Sequence, residues 1–417
     1  MIPVGIEAMN VYGGSAYVDV VELARYRGLD SDRFQNLMLQ DKTVALPCED
    51  PVTFAVNAAR PLLDGLGADE KSKIELLITC TESGIDFSKS LSTYVHDYLG
   101  LGRNCRLFEL KQACYAGAAG LQVACNFVLS QVSPGAKALV ICSDISRLLL
   151  IGDGENLAMD WSFAEPSGGA GGVAMLVGDA PHIFQIDQGA SGYYAYEVMD
   201  TCRPVPDSEA GDSDLSVMSY LECCRHAFDD YRNRVEGADY LQTFDYLAFH
   251  TPFGGMVKGA HRTMLRRLHR LSPAEIEQDF ARRVTDGLTF CQRVGNIMGG
   301  TLLLALAGII DRARIEAPKR VGCFSYGSGC ASEFFSGVVT PESQRRLQQL
   351  RIGTHLDTRL KLSMPEYLEL LERGKDVKFG ARDVVLDPDM FAAARSKRPG
   401  LFLKEIRDFH RQYAWAT

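Results

Sequence analysis

Two stretches of this chain are apolar on every side when wound as helices. Residues 114–129 read CYAGAAGLQVACNFVL, and residues 297–313 read IMGGTLLLALAGIIDRA. A surface helix needs only one apolar stripe, so a helix apolar all round has to be covered on more than one side. Both stretches sit in the same local order. IELLITCTES (74–83) is a strand ending in small polar residues, and CRLFELKQA (105–113) is a strand running into the first apolar helix. KALVICSDI (137–145) is the strand that follows it. In the second half FDYLAFHTP (244–252) precedes the other helix, and KRVGCFSYGSG (319–329) follows it and ends in a glycine loop. Strands alternating with helices define an α/β chain. The recurrence predicts an internal duplication with both buried helices between two sheets. The expected division is 1–172, carrying Glu82 and Cys114, and 173–417, carrying His250, Asn296 and the Gly-Ser loop.

Other segments are less constrained. SGGAGGVAMLVGD (167–179) reads as a glycine-dense turn and a strand, with HIFQIDQ (182–188) as its hairpin partner. From about 340 the chain is charged and helical by composition. The 417 residues are 46% hydrophobic and 23% charged, which excludes a disordered chain. The net charge of −9 argues against bulk nucleic-acid binding, so an anionic partner has to meet a local basic patch. No apolar run reaches the roughly 18 residues of a spanning helix, the longest being GGTLLLALAGII. The first residues, MIPVGIEAMN, show no basic segment followed by an apolar one. The twelve cysteines are scattered and form no CxxC pair, so no metal site is expected and a reduced, cytoplasmic protein is.

Cys114 stands where a strand meets a buried helix. Unpaired N–H groups at a helix start favour a thiolate, which makes this cysteine the candidate nucleophile; the alternative is one more packed thiol. His250 ends an apolar strand ahead of Thr251 and Pro252, where an imidazole at the sheet edge can donate to a carbonyl or trade protons. Glu82, in TCTESG, lies at the lip of a buried strand, where desolvation raises a carboxyl toward a useful base; otherwise it caps a helix or faces water. Asn296, in VGNIMGG, is placed to cap the second helix or to orient His250 or a substrate oxygen. Tyr326, Gly327, Ser328 and Gly329 bring backbone N–H groups close together, as an oxyanion site or a tight turn would. No GxGxxG follows a first strand, and SGGAGG precedes a strand, so dinucleotide and phosphate loops are excluded.

A basic stripe follows His250. Lys258, Arg262, Arg266 and Arg270 recur every four residues on one predicted helix, with His261, Arg267 and His269 nearby and no acidic residue from 251 to 274. Four cations on one face repel one another unless acids on neighbouring elements or an anionic visitor offset them.

In combination these motifs resemble a known family over nearly the whole chain. TES around Glu82, ELKQACYAG, EPSGGAGGVAMLVG, FHTPF, VGNIMGG and FSYGSG occur in the order found in 3-hydroxy-3-methylglutaryl synthases. The resemblance implies the thiolase-like five-layered αβαβα fold and a dimer. It implies that Cys114 takes an acetyl group, that Glu82 deprotonates its methyl, and that His250 assists acyl transfer and holds the acceptor. By the same resemblance the N–H groups of Cys114 and Ser328 form the oxyanion hole, and Ser167, Asn296 and Tyr326 line the acceptor pocket. No cofactor is implied.

Two departures bear on the substrate carrier. Primary-metabolism members often carry a basic or polar residue soon after the HxP[YF] motif and an ARPTGGAGA motif. This chain has Gly254 and Gly255, and Glu165 stands where arginine is common. The variant is similar to synthases of polyketide β-branching cassettes of the curacin type, whose acyl groups ride on acyl carrier proteins. Donor and acceptor carriers are the expected partners, the phosphopantetheine belonging to them, with Arg33 and the Lys258–Arg270 stripe as docking cations. The alternatives are a CoA-dependent synthase of mevalonate biosynthesis, a decarboxylating ketoacyl synthase, for which Glu82 is unneeded, and a non-catalytic carrier-binding partner, which has no use for Cys114.

Overall fold

The computed structural model describes residues 2–30, 34–146, 161–206, 208–387, 392 and 399–416. The first half contributes β1 (Gly5–Tyr12), α1 (Pro51–Asp64), β2 (Ile74–Cys80), β3 (Arg106–Leu110), α2 (Ala116–Ser130), β4 (Lys137–Ile145) and β5 (Ala170–Gly178). The second contributes β6 (Phe184–Ala195), α3 (Ser213–Arg234), β7 (Tyr246–Phe249), α4 (Gly254–His269), α5 (Pro273–Arg283), α6 (Thr285–Val294), α7 (Thr301–Arg312), β8 (Lys319–Gly327) and β9 (Ala331–Val339). The strands lie in the order β7-β8-β9-β6-β1-β5-β4-β2-β3. In the first half β2 pairs parallel to β3 and β4, and β5 pairs antiparallel to β4 and β1. The second half repeats the scheme: β7 is parallel to β8, and β9 is antiparallel to β8 and β6. The half-sheets join through β1 and β6, with Gly5 opposite Gln185 and Ile6 opposite Phe184.

Packing turns the repeat into layers. α1 covers β1, β4 and β5, and α3 covers β6, β8 and β9, each on an outer face. α2 packs on β2, β4 and β5, α7 packs on β7 and β8, and the two helices touch between the sheets. This is the five-layered αβαβα fold of the thiolase-like proteins. The central core draws on both halves, including Leu121, Ala124, Leu303, Leu304 and Ile309. Close approach at the centre requires glycine: a Cβ on Gly117 would lie 2.1 Å from the carbonyl oxygen of Gly299.

Several expectations need correction. HIFQIDQ does not pair with β5; β1 lies between β5 and β6 in the sheet. The 172/173 division falls inside β5, which is laddered on both sides to first-half strands. The C-terminal region is helical only at first, over Pro341–Gln348, Ile352–Asp357 and Met364–Gly374. It ends in an antiparallel pair, Gly400–Arg407 with His410–Ala416. That pair returns to the first half, where Arg411 and Tyr413 donate to Asp50 Oδ2 at the start of α1, at 3.0 and 2.7 Å. The helix over Ala113–Ser130 is long and apolar enough to cross a membrane by composition. Its place between two sheets accounts for that composition. α2 also differs from α7: residues Thr301–Ile310 are all buried, whereas Val123 and Asn126 of α2 are exposed.

Candidate active site

The strands of both halves deliver their C-terminal ends to the start of the two central helices. Cys114 precedes α2 by two residues, and Tyr115 takes the cap position. The turn into it is left-handed at Ala113, with φ of +43°. Cys114 Sγ points at Glu82, 3.3 Å from Oε1. The sequence expectation of a helix-stabilised thiolate is not met here. Burial, then the adjacent Glu82 carboxylate, pushes the Cys114 thiol well up.

Glu82 is held from two sides. Its N–H donates to Asp144 Oδ1 at 2.9 Å. Arg203 Nη1 donates to the Glu82 carbonyl at 2.9 Å, and Arg203 Nε lies 3.6 Å from Oε2. Arg203 is also paired with Glu209 at 2.8 Å. The expected dry carboxylate is therefore an ion-paired one. Asp144 collects Thr81 Oγ1, the Ser83 N–H and Ser83 Oγ at 2.8–2.9 Å, fixing the turn that carries Glu82. Burial, with Glu82 beside it, pushes the Asp144 carboxyl up to about 7.

His250 extends β7, its N–H donating to the Phe324 carbonyl at 2.8 Å and its own carbonyl accepting from Tyr220 Oη at 2.6 Å. It is buried, not exposed at the sheet edge as expected, and burial pushes its imidazole down to about 3. A neutral ring results. Its Nδ1 has no hydrogen-bond partner among the described residues.

Asn296 does not cap α7, whose cap position is Gly300; its Oδ1 accepts from the Met298 N–H at 3.0 Å and Thr301 Oγ1 at 2.9 Å, holding the turn ahead of the helix. Its N–H donates to the Ser167 carbonyl at 2.8 Å, so Ser167 and Asn296 are neighbours, with Ser167 Oγ bonded back to Ala164. Tyr326 is committed elsewhere: its hydroxyl donates to Asp200 Oδ2 at 2.5 Å, while Asp200 Oδ1 accepts from the Gly329 N–H at 2.9 Å. Asp200 thus spans the turn that holds Ser328. That turn abuts the nucleophile, since a Cβ on Gly327 would meet Gln112 O at 2.5 Å and Tyr115 N at 2.6 Å.

The basic stripe is partly neutralised. Lys258 pairs with Glu277 at 2.7 Å and Arg267 with Asp229 at 2.7 Å, from α5 and α3. His261 is buried against Asp279. Arg262, Arg266 and Arg270 are exposed and have no ion-pair partner among the described residues. Arg33 lies outside the described residues. Glu165 meets Arg27 at 2.7 Å and Tyr367 Oη at 3.2 Å, and Lys42 donates to its carbonyl. The site residues missed from sequence are Asp144, Asp200 and Arg203. Asp144 had a visible signal, an acid closing the apolar run ALVICSDI; the other two gave none.

This fold and a cysteine facing a carboxylate define a thiolase-like condensing enzyme. Residues 2–181 match the family model for the hydroxymethylglutaryl-coenzyme A synthase N terminal, and residues 266–415 match that for its C terminal. The polyketide biosynthesis 3-hydroxy-3-methylglutaryl-ACP synthase PksG of Bacillus subtilis (strain 168) is 64% identical over all of both chains. The hydroxymethylglutaryl-CoA synthase of Enterococcus faecalis is 34% identical over 87% of this chain and 90% of its own. The crystal structure of the curacin biosynthetic pathway HMG synthase in complex with apo donor-ACP superposes with a TM-score of 0.95 at 59% identity, covering 99% of this chain and 100% of that one. The chain belongs to the hydroxymethylglutaryl synthase family and is a C-acyl condensing acyltransferase.

Proposed function

We propose that this enzyme is a hydroxymethylglutaryl-ACP synthase of polyketide β-branching. The observation that carries the reading is the 3.3 Å approach of Cys114 Sγ to Glu82 Oε1. A relative named as an ACP synthase at 64% identity supports the choice of carrier. Cys114 attacks the acetyl thioester of a donor carrier; the acyl C–S bond to the phosphopantetheine breaks and the released thiolate takes a proton. Glu82 removes a proton from the methyl of acetyl-Cys114. An acetyl thioester is a weak carbon acid, so its enolate oxygen needs preorganised donors, which the N–H groups of Cys114 and Ser328 supply. The enolate carbon attacks the β-ketone of the acceptor chain. His250, kept neutral, donates to the oxygen that becomes the tertiary alcohol. Water then cleaves the bond to Cys114 and leaves a free carboxylate. Ser167 and Asn296 form one wall of the acceptor pocket, and Tyr326 supports the Ser328 turn.

Carrier docking falls on Arg262, Arg266 and Arg270, with the already paired Lys258 beside them; Arg33, outside the described residues, is kept as a docking cation on the sequence alone. Acidic carrier helices and a phosphopantetheine phosphate are what such a row attracts. Reversing charge at Arg266 and Arg270 lowers carrier-dependent turnover by roughly tenfold in this account; unchanged turnover removes the docking surface. The halves are best divided between Gly178 and Phe184. A homodimer fits the edge strand β3, where Phe108 is 38% exposed; Val123 of α2 is 39% exposed. The enzyme is cytoplasmic and needs no cofactor of its own. The test is the intact mass after incubation with acetylated donor carrier or with acetyl-CoA. One acetyl on Cys114 from the carrier supports the reading; loading from CoA alone points to the CoA-dependent alternative.

A further inference from the structure

The second half reaches across the central layer to hold the first half's nucleophile. Glu333 lies on β9, opposite Ser325 of β8 and Tyr193 of β6. Its side chain is fully buried. A buried carboxylate is costly unless its oxygens are paired. The pairing here is specific: Tyr115 Oη donates to Glu333 Oε2 at 2.8 Å, and Gln122 Nε2 donates to Oε1 at 2.7 Å. Tyr115 directly follows Cys114 and caps α2, and Gln122 lies two turns further along the helix.

We infer that Glu333 is a positioning residue that fixes the start of α2, and with it Cys114, against the β8–β9 hairpin carrying Ser328. The inference rests on the condensing reading above. Three observations bear on it. The Cys114 turn is conformationally expensive, because Ala113 sits at φ of +43°, so outside contacts have to hold it. The hairpin touches that turn by backbone at Gly327 and by side chain at Glu333, two points on either side of Ser328. The two N–H groups assigned to the oxyanion hole belong to these same two elements. Their separation is therefore set by the Gly327 approach and the Glu333 hydrogen bonds. Oxyanion donors work only near 3 Å from the developing charge, so a small slip of α2 weakens catalysis without removing any reacting group.

The test uses full-length enzyme, acetylated donor carrier and single-turnover acetylation of Cys114 followed by intact mass. Wild type, Glu333→Gln, Tyr115→Phe and the double variant are compared across donor concentrations. Gln at 333 keeps the shape but turns one acceptor into a donor; Phe at 115 removes only a hydroxyl and keeps the question open if the first variant misfolds. The expected result is a maximal acetylation rate lower by roughly tenfold to hundredfold in each single variant. The half-saturating donor concentration stays unchanged, and the double variant is no slower than the slower single one. Two results overturn the inference: rates within about twofold of wild type, or penalties that multiply in the double variant. A wild-type enzyme that takes no acetyl overturns the condensing reading itself, which separates the two failures. Iodoacetamide alkylation of Cys114 gives a carrier-free check and is expected to change in the same variants.

Discussion

In the first half, the position just after the second strand holds Glu82; in the second half, the matching position holds His250. The segment before the central helix holds Cys114 in one and Asn296 in the other. The end of the next strand holds Asp144 in one and Tyr326 in the other. The two halves share a topology, and the strand ends are the points where it leaves side chains free to differ. The first half gathers a thiol and two carboxylates, with Arg203 as their cation. The second supplies Arg203 itself, with its partner Glu209, and beside them a buried imidazole, a carboxamide and a glycine turn. Carbanion formation needs a base near the acetyl-cysteine, and stabilising the new oxygens needs donors that add no competing charge. Duplication lets one centre have both.

That division can be broken one slot at a time. Cys114→Ala removes the acyl acceptor, and turnover is expected to fall by about 10⁴-fold or more, with no acetyl found by mass. His250→Ala removes a neutral donor, and condensation is expected to slow by roughly 10²–10³-fold while Cys114 still loads. If loading collapses as well, the halves do not divide the chemistry as stated.

Smaller effects sharpen the electrostatic side. Asp144 is raised to about 7 in the folded protein, from 3.8. Between those values the native state binds the extra proton, so stability declines as pH rises through that window. The whole contribution is on the order of 4 kcal/mol at most, by the linkage constant per pKa unit. Asp144→Asn keeps an acceptor for the Glu82 turn, and is expected to flatten the urea-denaturation stability profile across that window. His250 has the opposite sign: depressed to about 3, it favours the folded state above pH 6.5 and loses that contribution as pH falls. The smallest expected effect is Ala113→Gly, which relieves a left-handed residue and is expected to add about 0.5–1 kcal/mol by the same measurement.

The duplication was legible in the chain, because strand ends and all-apolar helices leave local signatures; the partnership of Glu82 with Cys114 came only from the family resemblance, since Glu82 by itself reads equally as a cap or a solvated acid. Residues acting through long-range contacts were not legible. Arg203 reaches Glu82 across 121 positions and Glu333 reaches Tyr115 across 218, and neither stands in a motif. The thiolate expected at Cys114 is opposed by its surroundings: the helix starts only at Ala116, and burial beside a carboxylate pushes the thiol up. HIFQIDQ was misread because adjacency in sequence suggested a hairpin, whereas β1 from the far N-terminus takes the place between the strands. The last strands, GLFLKEIR and HRQYAWA, carry enough charge to mask their alternation.

In the proposed mechanism the carboxylate facing the thiol acts after acyl loading and not before it. Glu82→Ala, incubated with acetyl donor and then with acceptor, tests it by time-resolved intact mass. One acetyl on Cys114 that persists when acceptor is added is the expected result. A variant that never loads, or one that condenses at the wild-type rate, contradicts it.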